Sequence, residues 1–487
     1  MTVVAFIGRT ERGPVDRAVP VTSFDEYCRI FGGHTPLGFV SYAVQHFFLH
    51  GGENAVVVRL TNGATPGSID VPAGDGLLRL VARRPGSREH LRVSVDYQGV
   101  EHSSDRFNLV VQRVAGPGSQ LVEDQELYPA LSLDPADPRF VVDALRESEL
   151  VRLVGPLPSC RPDATPPKFP GEPFRYVDMS TAGTDGDELT DYDIVGSKDE
   201  GTGLFALDRV ARIDILCVPA PPQRDFGTTA LIAAERYCRR RRALLVWDPP
   251  SAWPTSDSAV IGMRSIGFAS TNAMTYFPRL RPRGRFGDFP PGMPACGALA
   301  GLFASGDKER GHPGGPVGAL KASFSTLCDL GEREATRLLR FGVNPLMRIA
   351  GGAVVLDGNV CLAPEDGRDA FARRLDFSRA TLHVLDTLER VAQRSSDSLG
   401  EPGAADRYAQ EVRAKLAELH ASGVLAGRHQ TEAYFVRIVA SGPEAIVIRV
   451  GVAIAGPGCF RTYDLELGRT GLAVREVPPL DGEQLVG

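Results

Sequence analysis

The stretch FVSYAVQHFFLHGGENAVVVRL, residues 39–60, joins a helix signal to a buried-strand signal. Aromatic and aliphatic residues recur at helical spacing over residues 39–49, and Gly51-Gly52 ends that helix. The continuous apolar run at residues 55–60 then predicts a buried strand, as does the run at residues 3–8. Strand, helix and strand in this order predict an α/β layer with a parallel sheet.

The same pattern returns later in the chain. Two apolar strands at residues 213–219 and 243–247 are separated by a predicted helix at residues 228–240. A helix of that length between two buried strands is typical of a βαβ unit. We therefore predict one discontinuous α/β domain built from residues 1–63 and 190–366.

The remaining residues predict two further units and a connection, so the chain is an α/β multidomain protein. Alternating strands indicate an inserted β-rich domain at residues 64–157, and the Pro- and Gly-rich residues 158–189 are interpreted as a linker. Two helix stripes followed by strands between residues 433 and 467 predict a C-terminal α+β domain over residues 367–487. Residues 472–477 predict a short additional strand.

Composition and charge exclude several functional classes. The chain has 487 residues, 43% hydrophobic and 23% charged, which suits a protein with a sizeable buried core. A formal net charge of −6 argues against a nucleic-acid-binding protein, which usually carries a basic surplus. No apolar run is long enough for a transmembrane helix, and no basic leader precedes the first apolar run. We expect the chain to stay in the cytoplasm unless a machine carries it out.

No residue pattern predicts a catalytic, cofactor or metal site. The eight cysteines are too widely spaced for a CxxC site and are interpreted as reduced thiols. Residues 201–206 match GxGxxA, but the polar, acidic segment before them is wrong for a pyrophosphate-binding turn, and a helix start is the better interpretation. His46 and His50 have metal-ligand spacing, yet Phe47 occupies the place of a catalytic glutamate. No GxSxG nucleophile elbow is present.

The run Arg239-Arg240-Arg241-Arg242 follows the helix predicted at residues 228–240. Cations stabilise a helix C-terminus, where carbonyl groups are unpaired. The run is either a solvated helix end or a salt-bridge patch for a protein neighbour, and we leave both interpretations open.

Several segments together resemble the phage tail sheath family, which includes the sheaths of bacterial contractile injection systems. They are spread over most of the chain in the family's order and include VAFIGRTERGP (4–14), FFLHGGENAVVVRL (47–60), GLFALDRVARIDILCVPAP (203–221) and IRVGVAIAGPGCFRTYDLEL (448–467). The resemblance implies a subtilisin-like α/β middle domain without protease activity, consistent with the missing nucleophile motif. It also implies a structural protein with no catalytic residues, cofactor or metal.

The resemblance further implies what the chain assembles with. Sheath proteins stack as six-fold rings around an inner tube and contract to drive that tube through a target envelope. The expected partners are sheath subunits of the same or a paralogous kind, the inner tube protein, and baseplate and tail terminator proteins, without nucleic acid or membrane insertion. Strand exchange at the C-terminal sheet would keep neighbours joined. We therefore predict the following assembly-interface residues: Ile446, Ile448, Val450, Tyr463, Leu465, Arg239, Arg240 and Arg241.

Two departures mark a divergent member. The family usually begins with an arm before the first strand, whereas here only Met1 and Thr2 precede it. We expect that residues 1–487 alone do not form long sheaths, and that the protein either co-assembles with an arm-bearing paralogue or is natively longer. The second departure is the segment His312-Pro313-Gly314-Gly315, where the family commonly has an aromatic residue. The alternatives are a non-contractile baseplate or cap component and a hydrolase on the subtilisin-like fold.

Overall fold

A computed structural model of the chain describes residues 2–100, 105–165, 175–221, 224–282, 292–316, 318–321, 324–363, 365, 371–469 and 471–478. Its strands are, in chain order, β1 (Val3–Gly8), β2 (Ala18–Val21), β3 (Asn54–Arg59), β4 (Ser68–Ala73), β5 (Gly76–Ala82), β6 (Leu91–Asp96), β7 (Phe107–Val114), β8 (Val122–Leu131), β9 (Val151–Leu153), β10 (Val177–Asp178), β11 (Ile215–Cys217), β12 (Leu244–Val246), β13 (Ala273–Met274), β14 (Tyr276–Phe277), β15 (Leu280–Pro282), β16 (Phe324–Thr326), β17 (Asn344–Arg348), β18 (Val354–Leu356), β19 (Tyr434–Ser441), β20 (Ala445–Ala453), β21 (Phe460–Gly468) and β22 (Gly471–Val477).

The α-helices of the described residues are α1 (Phe24–Phe31), α2 (Val40–Leu49), α3 (Val141–Ala144), α4 (Asp191–Val195), α5 (Thr228–Arg240), α6 (Ser256–Ile266), α7 (Cys296–Arg310), α8 (Glu332–Arg340), α9 (Leu375–Ser395), α10 (Ala404–Ala421) and α11 (Gln430–Ala433). Short 3₁₀ helices span Leu145–Glu147, Gly203–Arg209 and Ser396–Ser398.

A six-stranded sheet forms the middle of the protein, in the order β13-β12-β11-β1-β3-β2. All neighbouring pairs are parallel except β2 with β3. Phe6 of β1 lies opposite Cys217 on one side and Val57 on the other, so strands far apart in sequence share one register. The strand at Asn54–Arg59 thus belongs to the same sheet as Ile215–Cys217 and Leu244–Val246, in the mixed α/β arrangement that the sequence predicts.

Helices cover both faces of this sheet, which explains why its strands are apolar on both sides. Residues of α1, α2 and α7 pack on the face that carries Val4 and Phe6, while α5 and α6 pack on the face of Ala5 and Ile7. Helices α2 and α7 approach closely because α7 has a glycine at the contact. A Cβ atom on Gly297 would lie 2.0 Å from the carbonyl oxygen of Ala43.

The unit inserted after β3 contains two sheets, β10-β6-β7-β8 and β4-β5-β9, around one apolar core. The segment 158–189, expected to be a linker, instead adds to this unit in its described residues. Strand β10 pairs with β6, and isolated bridges join Asn62, Thr65 and Ser68 to residues 181–187. The Gly- and Pro-rich composition ends helices and long strands but does not prevent backbone pairing of this kind. The exact domain boundaries stay a prediction.

The C-terminal unit is a four-stranded antiparallel sheet, β19-β20-β21-β22, covered by α9 and α10. The two helix stripes and the three strands predicted between residues 433 and 467 are present. The strand predicted at residues 472–477 is β22, which pairs with β21 along its length. This unit is joined to the middle one by α9, whose first residue, Leu375, lies in the middle core.

Candidate assembly interface

The five residues predicted on the C-terminal sheet lie inside the subunit. Each is exposed by 4% or less, and together they form the core against α9 and α10; they are Ile446, Ile448, Val450, Tyr463 and Leu465. Their side chains are therefore unavailable to a neighbour while this domain is folded. In the folded subunit they hold the sheet against these helices, and their assignment to an assembly interface stays a prediction.

The outer strands of this sheet offer backbone groups instead. Within the described residues β19 and β22 each have a partner on one side only. On β19, Ile438 and Val439 are exposed by 38% and 51%. An edge strand with exposed aliphatic side chains is suited to pairing with another strand.

The face of the sheet that points away from α9 and α10 carries a group of ion pairs centred on Asp464. Arg449 donates to its carboxylate from Nε and Nη2, at 2.7 and 2.9 Å, and Arg475 donates at 3.4 Å. The hydrogen bonds from Arg449 lower the pKa of Asp464 below its ordinary value. This group joins β20, β21 and β22 across the sheet, so the edge strand β22 is fixed by charge as well as by backbone bonds.

The predicted arginines at the end of α5 are partly used within the chain. Arg239 donates to the buried carboxylate of Glu235 at 2.6 Å, and Arg241 donates to the carbonyl oxygen of Leu207 at 2.9 Å. The guanidinium of Arg240 lies over the rings of Phe205 and Tyr237. The helix-end interpretation therefore accounts for Arg241, whose side chain is 17% exposed, whereas those of Arg239 and Arg240 remain 62% and 52% exposed.

A buried ion pair, which no sequence pattern indicates, joins the middle and C-terminal units. Arg379 of α9 donates to both carboxylate oxygens of Asp307 in α7, at 2.9 and 2.6 Å. Thr2, Gly314 and Arg310 also donate to this carboxylate, and the Arg379 guanidinium lies 4.7 Å from the ring centre of Phe303. Asp307 and Arg379 are 72 positions apart in ordinary polar contexts, so only the fold brings them together.

The GxGxxA segment holds no phosphate-binding turn. A helix does begin at Gly203, as the sequence predicts, but it is a 3₁₀ helix. Its backbone N–H donates to the Asp16 carboxylate at 2.8 Å. A carboxylate thus occupies the position that a phosphate would need.

The two histidines at the C-terminal end of α2 are buried and serve packing. His46 lies edge-on to Phe324, and burial lowers its pKa to about 3. His50 uses both ring nitrogens, Nδ1 with the carbonyl oxygen of His46 and Nε2 as acceptor from the backbone N–H of Lys321. Across the described ranges no group of three or more His, Cys, Asp or Glu side chains is placed to hold a metal ion.

The residues most similar to a catalytic arrangement lie at the start of α7. Asp248 accepts hydrogen bonds from the backbone N–H groups of Ala295 and Cys296, at 2.7 and 3.0 Å, and so caps the helix. Burial raises the pKa of the Cys296 thiol well above its ordinary value. A nucleophilic cysteine needs a lowered pKa and access to solvent, so the geometry serves structure.

No helix in the described ranges combines the length and the apolar character needed to cross a bilayer.

Comparison with known proteins was informative at the level of structure. No protein-family model and no curated protein matches the sequence. The sheath tail protein of Listeria innocua aligns with a TM-score of 0.68 and 12% identity over 96% of this chain and 95% of its own. The contracted PVC sheath of an extracellular contractile injection system aligns with a TM-score of 0.54 and 13% identity over 94% and 88%. A chain of the six-fold symmetrised anti-feeding prophage baseplate aligns with a TM-score of 0.53 and 14% identity over 94% and 90%.

These likenesses run through all three units rather than through one shared domain, because each covers nearly the whole of both chains. The resemblance seen in the sequence is thus confirmed at the level of structure, where the neighbours are structural proteins. This chain has the fold of the sheath proteins of contractile tails and contractile injection systems.

Proposed function

We propose that the chain is a tail sheath subunit that polymerises as rings around an inner tube and contracts to drive the tube through a target envelope. The observation that carries this proposal is the alignment of 96% of the chain with 95% of a sheath tail protein. On this proposal its partners are other sheath subunits, the inner tube, and baseplate and terminator proteins. It is made in the bacterial cytoplasm and built into a particle, with its middle unit a subtilisin-like fold that carries no activity.

The junction between the middle and C-terminal units suits a part that transmits force. The buried Asp307–Arg379 pair is supplemented by Arg242 of the middle unit, which pairs with Glu389 of α9 at 3.4 Å. The buried Asp307–Arg379 pair favours one relative position of the two units, because sliding them would leave a buried charge unpaired. The two units would therefore move together when the subunit rotates.

Contacts between subunits must persist while the subunits rearrange. Strand addition at a free edge of the C-terminal sheet meets this need, because main-chain hydrogen bonds do not depend on side-chain packing between rigid bodies. The exposed Ile438 and Val439 favour the β19 edge. The buried residues Ile446, Ile448 and Val450 would keep that sheet intact under load. Arg239 and Arg240 already face Glu235 and Asp208, but their exposed guanidinium groups would also pair with acidic groups of a neighbour.

The inserted unit is proposed to lie on the outside of the assembly. The chain segments that enter and leave this unit run side by side, with bridges between Asn62 and Gly186 and between Thr65 and Thr184. No described strand of this unit belongs to the six-stranded sheet, so the backbone pairing of that sheet should survive a deletion. Deleting it should leave polymerisation intact, and loss of assembly in a folded deletion variant would contradict this placement.

The proposal is tested by expressing the tagged chain together with the proteins encoded beside its gene and imaging the particles by electron microscopy. We expect hollow six-fold cylinders that contain this chain along their length, in an extended and a shorter form. Particles that form without this chain, with the chain left as a soluble monomer, would refute the proposal.

A second candidate is a non-contractile baseplate or cap component, favoured by the likeness to the baseplate chain of the anti-feeding prophage. Labelling of the tag distinguishes the two. A sheath subunit is labelled along the whole particle and its copy number rises with particle length. A baseplate or cap component is labelled at one end, in a fixed copy number.

A further inference from the structure

One surface of the protein is acidic at one end and basic at the other. It is formed by α4, the loop that follows α4, and α5. Asp191 of α4 accepts hydrogen bonds from the backbone N–H groups of Gly227 and Ala230, at 2.8 and 3.1 Å. Helix α4 is thereby fixed at the N-terminal end of α5. The 12 steps from Thr228 to Arg240 place the two ends of α5 about 18 Å apart.

The N-terminal end of this surface is acidic and carries an exposed ring. Tyr192 is 80% exposed, and the exposed Asp199 and Glu200 lie in the loop that leaves α4. Burial raises the pKa of Asp16, and the nearby carboxylates of Asp193 and Glu200 raise it further.

The C-terminal half of α5 is basic, and an exposed aliphatic side chain lies one turn before it. Ile232, Arg236 and Arg240 follow one another at intervals of four, so they form one outward stripe on α5. Ile232 is 36% exposed and the Arg240 side chain 52%. Arg236 is exposed and has no acidic partner in the described part of the chain.

We propose that this surface joins copies of the chain head to tail, with the acidic end of one copy on the basic end of the next. Opposite charges attract over the encounter distance, and Tyr192 has the ring that an arginine stacks on. A copy that offers its acidic end to one neighbour and its basic end to another makes a heterologous contact, which propagates from copy to copy. The inference rests on the proposed function and supplies one of its contacts.

Charge reversal tests the contact. One variant carries Arg236→Glu and Arg240→Glu, a second carries Asp199→Lys and Glu200→Lys, and a third carries all four changes. Arg146→Glu is the matched control, because its side chain is 74% exposed on the inserted unit, away from this surface. All are expressed with the neighbouring genes, and the chain incorporated per particle is measured by sedimentation and quantitative blotting.

We expect each double reversal to lower incorporation at least tenfold and the control to leave it unchanged. The fourfold variant, and co-expression of the two double variants, should restore incorporation because complementary ends are present again. High salt should weaken the wild-type contact. Reversed variants that assemble like wild type, or a fourfold variant that fails although its thermal midpoint is unchanged, would overturn the inference and leave the proposed function standing. A wild-type chain that never enters particles would overturn both.

Discussion

Replacing Arg379 by methionine should destabilise the junction between α7 and α9 far more than removing an exposed charge does. Methionine keeps the apolar stem that lies over Phe303 but removes two donors from the Asp307 carboxylate. Breaking a buried ion pair typically costs about 3–5 kcal/mol. Arg310 still donates to Asp307 at 3.2 Å, so we expect the lower end, about 3 kcal/mol.

Hydrogen exchange of the α7 and α9 amides measures this loss locally, so cooperative unfolding of the whole chain is not required. A cost of about 3 kcal/mol corresponds to exchange faster by roughly a hundredfold. The control is Arg407→Met. Because the ion pair of Arg407 with Glu401 is exposed, we expect this variant to lose less than about 1 kcal/mol of stability. A double-mutant cycle with Asp307→Asn should give a coupling energy of at least about 1.5 kcal/mol. An Arg379→Met loss no larger than that of Arg407→Met would refute the reasoning.

Three further predictions concern stability. Gly297→Ala should cost about 2 kcal/mol or more in chemical unfolding because its Cβ meets the backbone of Ala43, whereas Gly116→Ala, with open space around it, should be neutral. Asp464→Asn should destabilise the protein at neutral pH, because the pKa of Asp464 is lowered in the folded state. The stabilisation from its carboxylate is present above the unfolded pKa of about 3.9 and is lost as the pH falls through the folded value. The melting curves of variant and wild type should therefore converge in acid. Asp248→Ala should lower stability by about 1–2 kcal/mol through loss of the α7 cap, and an equal loss in Asp248→Asn, which keeps the acceptor, would contradict the capping role.

The local patterns predicted the elements well, and the reason is periodicity. The run at residues 39–60 specifies a helix, a Gly-Gly stop and a buried strand from neighbouring residues alone, and the structure has α2 and β3 there. The helix stripes of α9 and α10 follow from the same spacing. Residues 158–189 have no periodic spacing of apolar residues. Their pairing with the inserted unit depends instead on partners distant in sequence.

The assembly interface shows where periodicity stops being informative. Alternating apolar residues such as Ile446, Ile448 and Val450 indicate that one face of a strand is buried, but not what buries it. The structure shows that α9 and α10 of the same chain do so. The Asp307–Arg379 pair was missed for a related reason: a single aspartate in a helix has the same sequence signature whether it is solvated or paired with an arginine 72 positions away.

The paired passages at Asn62 with Gly186 and Thr65 with Thr184 have a consequence for how such proteins diversify. The chain leaves and returns to the middle unit at neighbouring points, which in paired strands lie roughly 5 Å apart. Recombination that exchanges everything between these points therefore needs only a foreign segment whose own termini are adjacent. On the proposed function, the inserted unit would act as an exchangeable cassette, and a particle built from this chain could carry a binding or reporter domain at that position on every subunit.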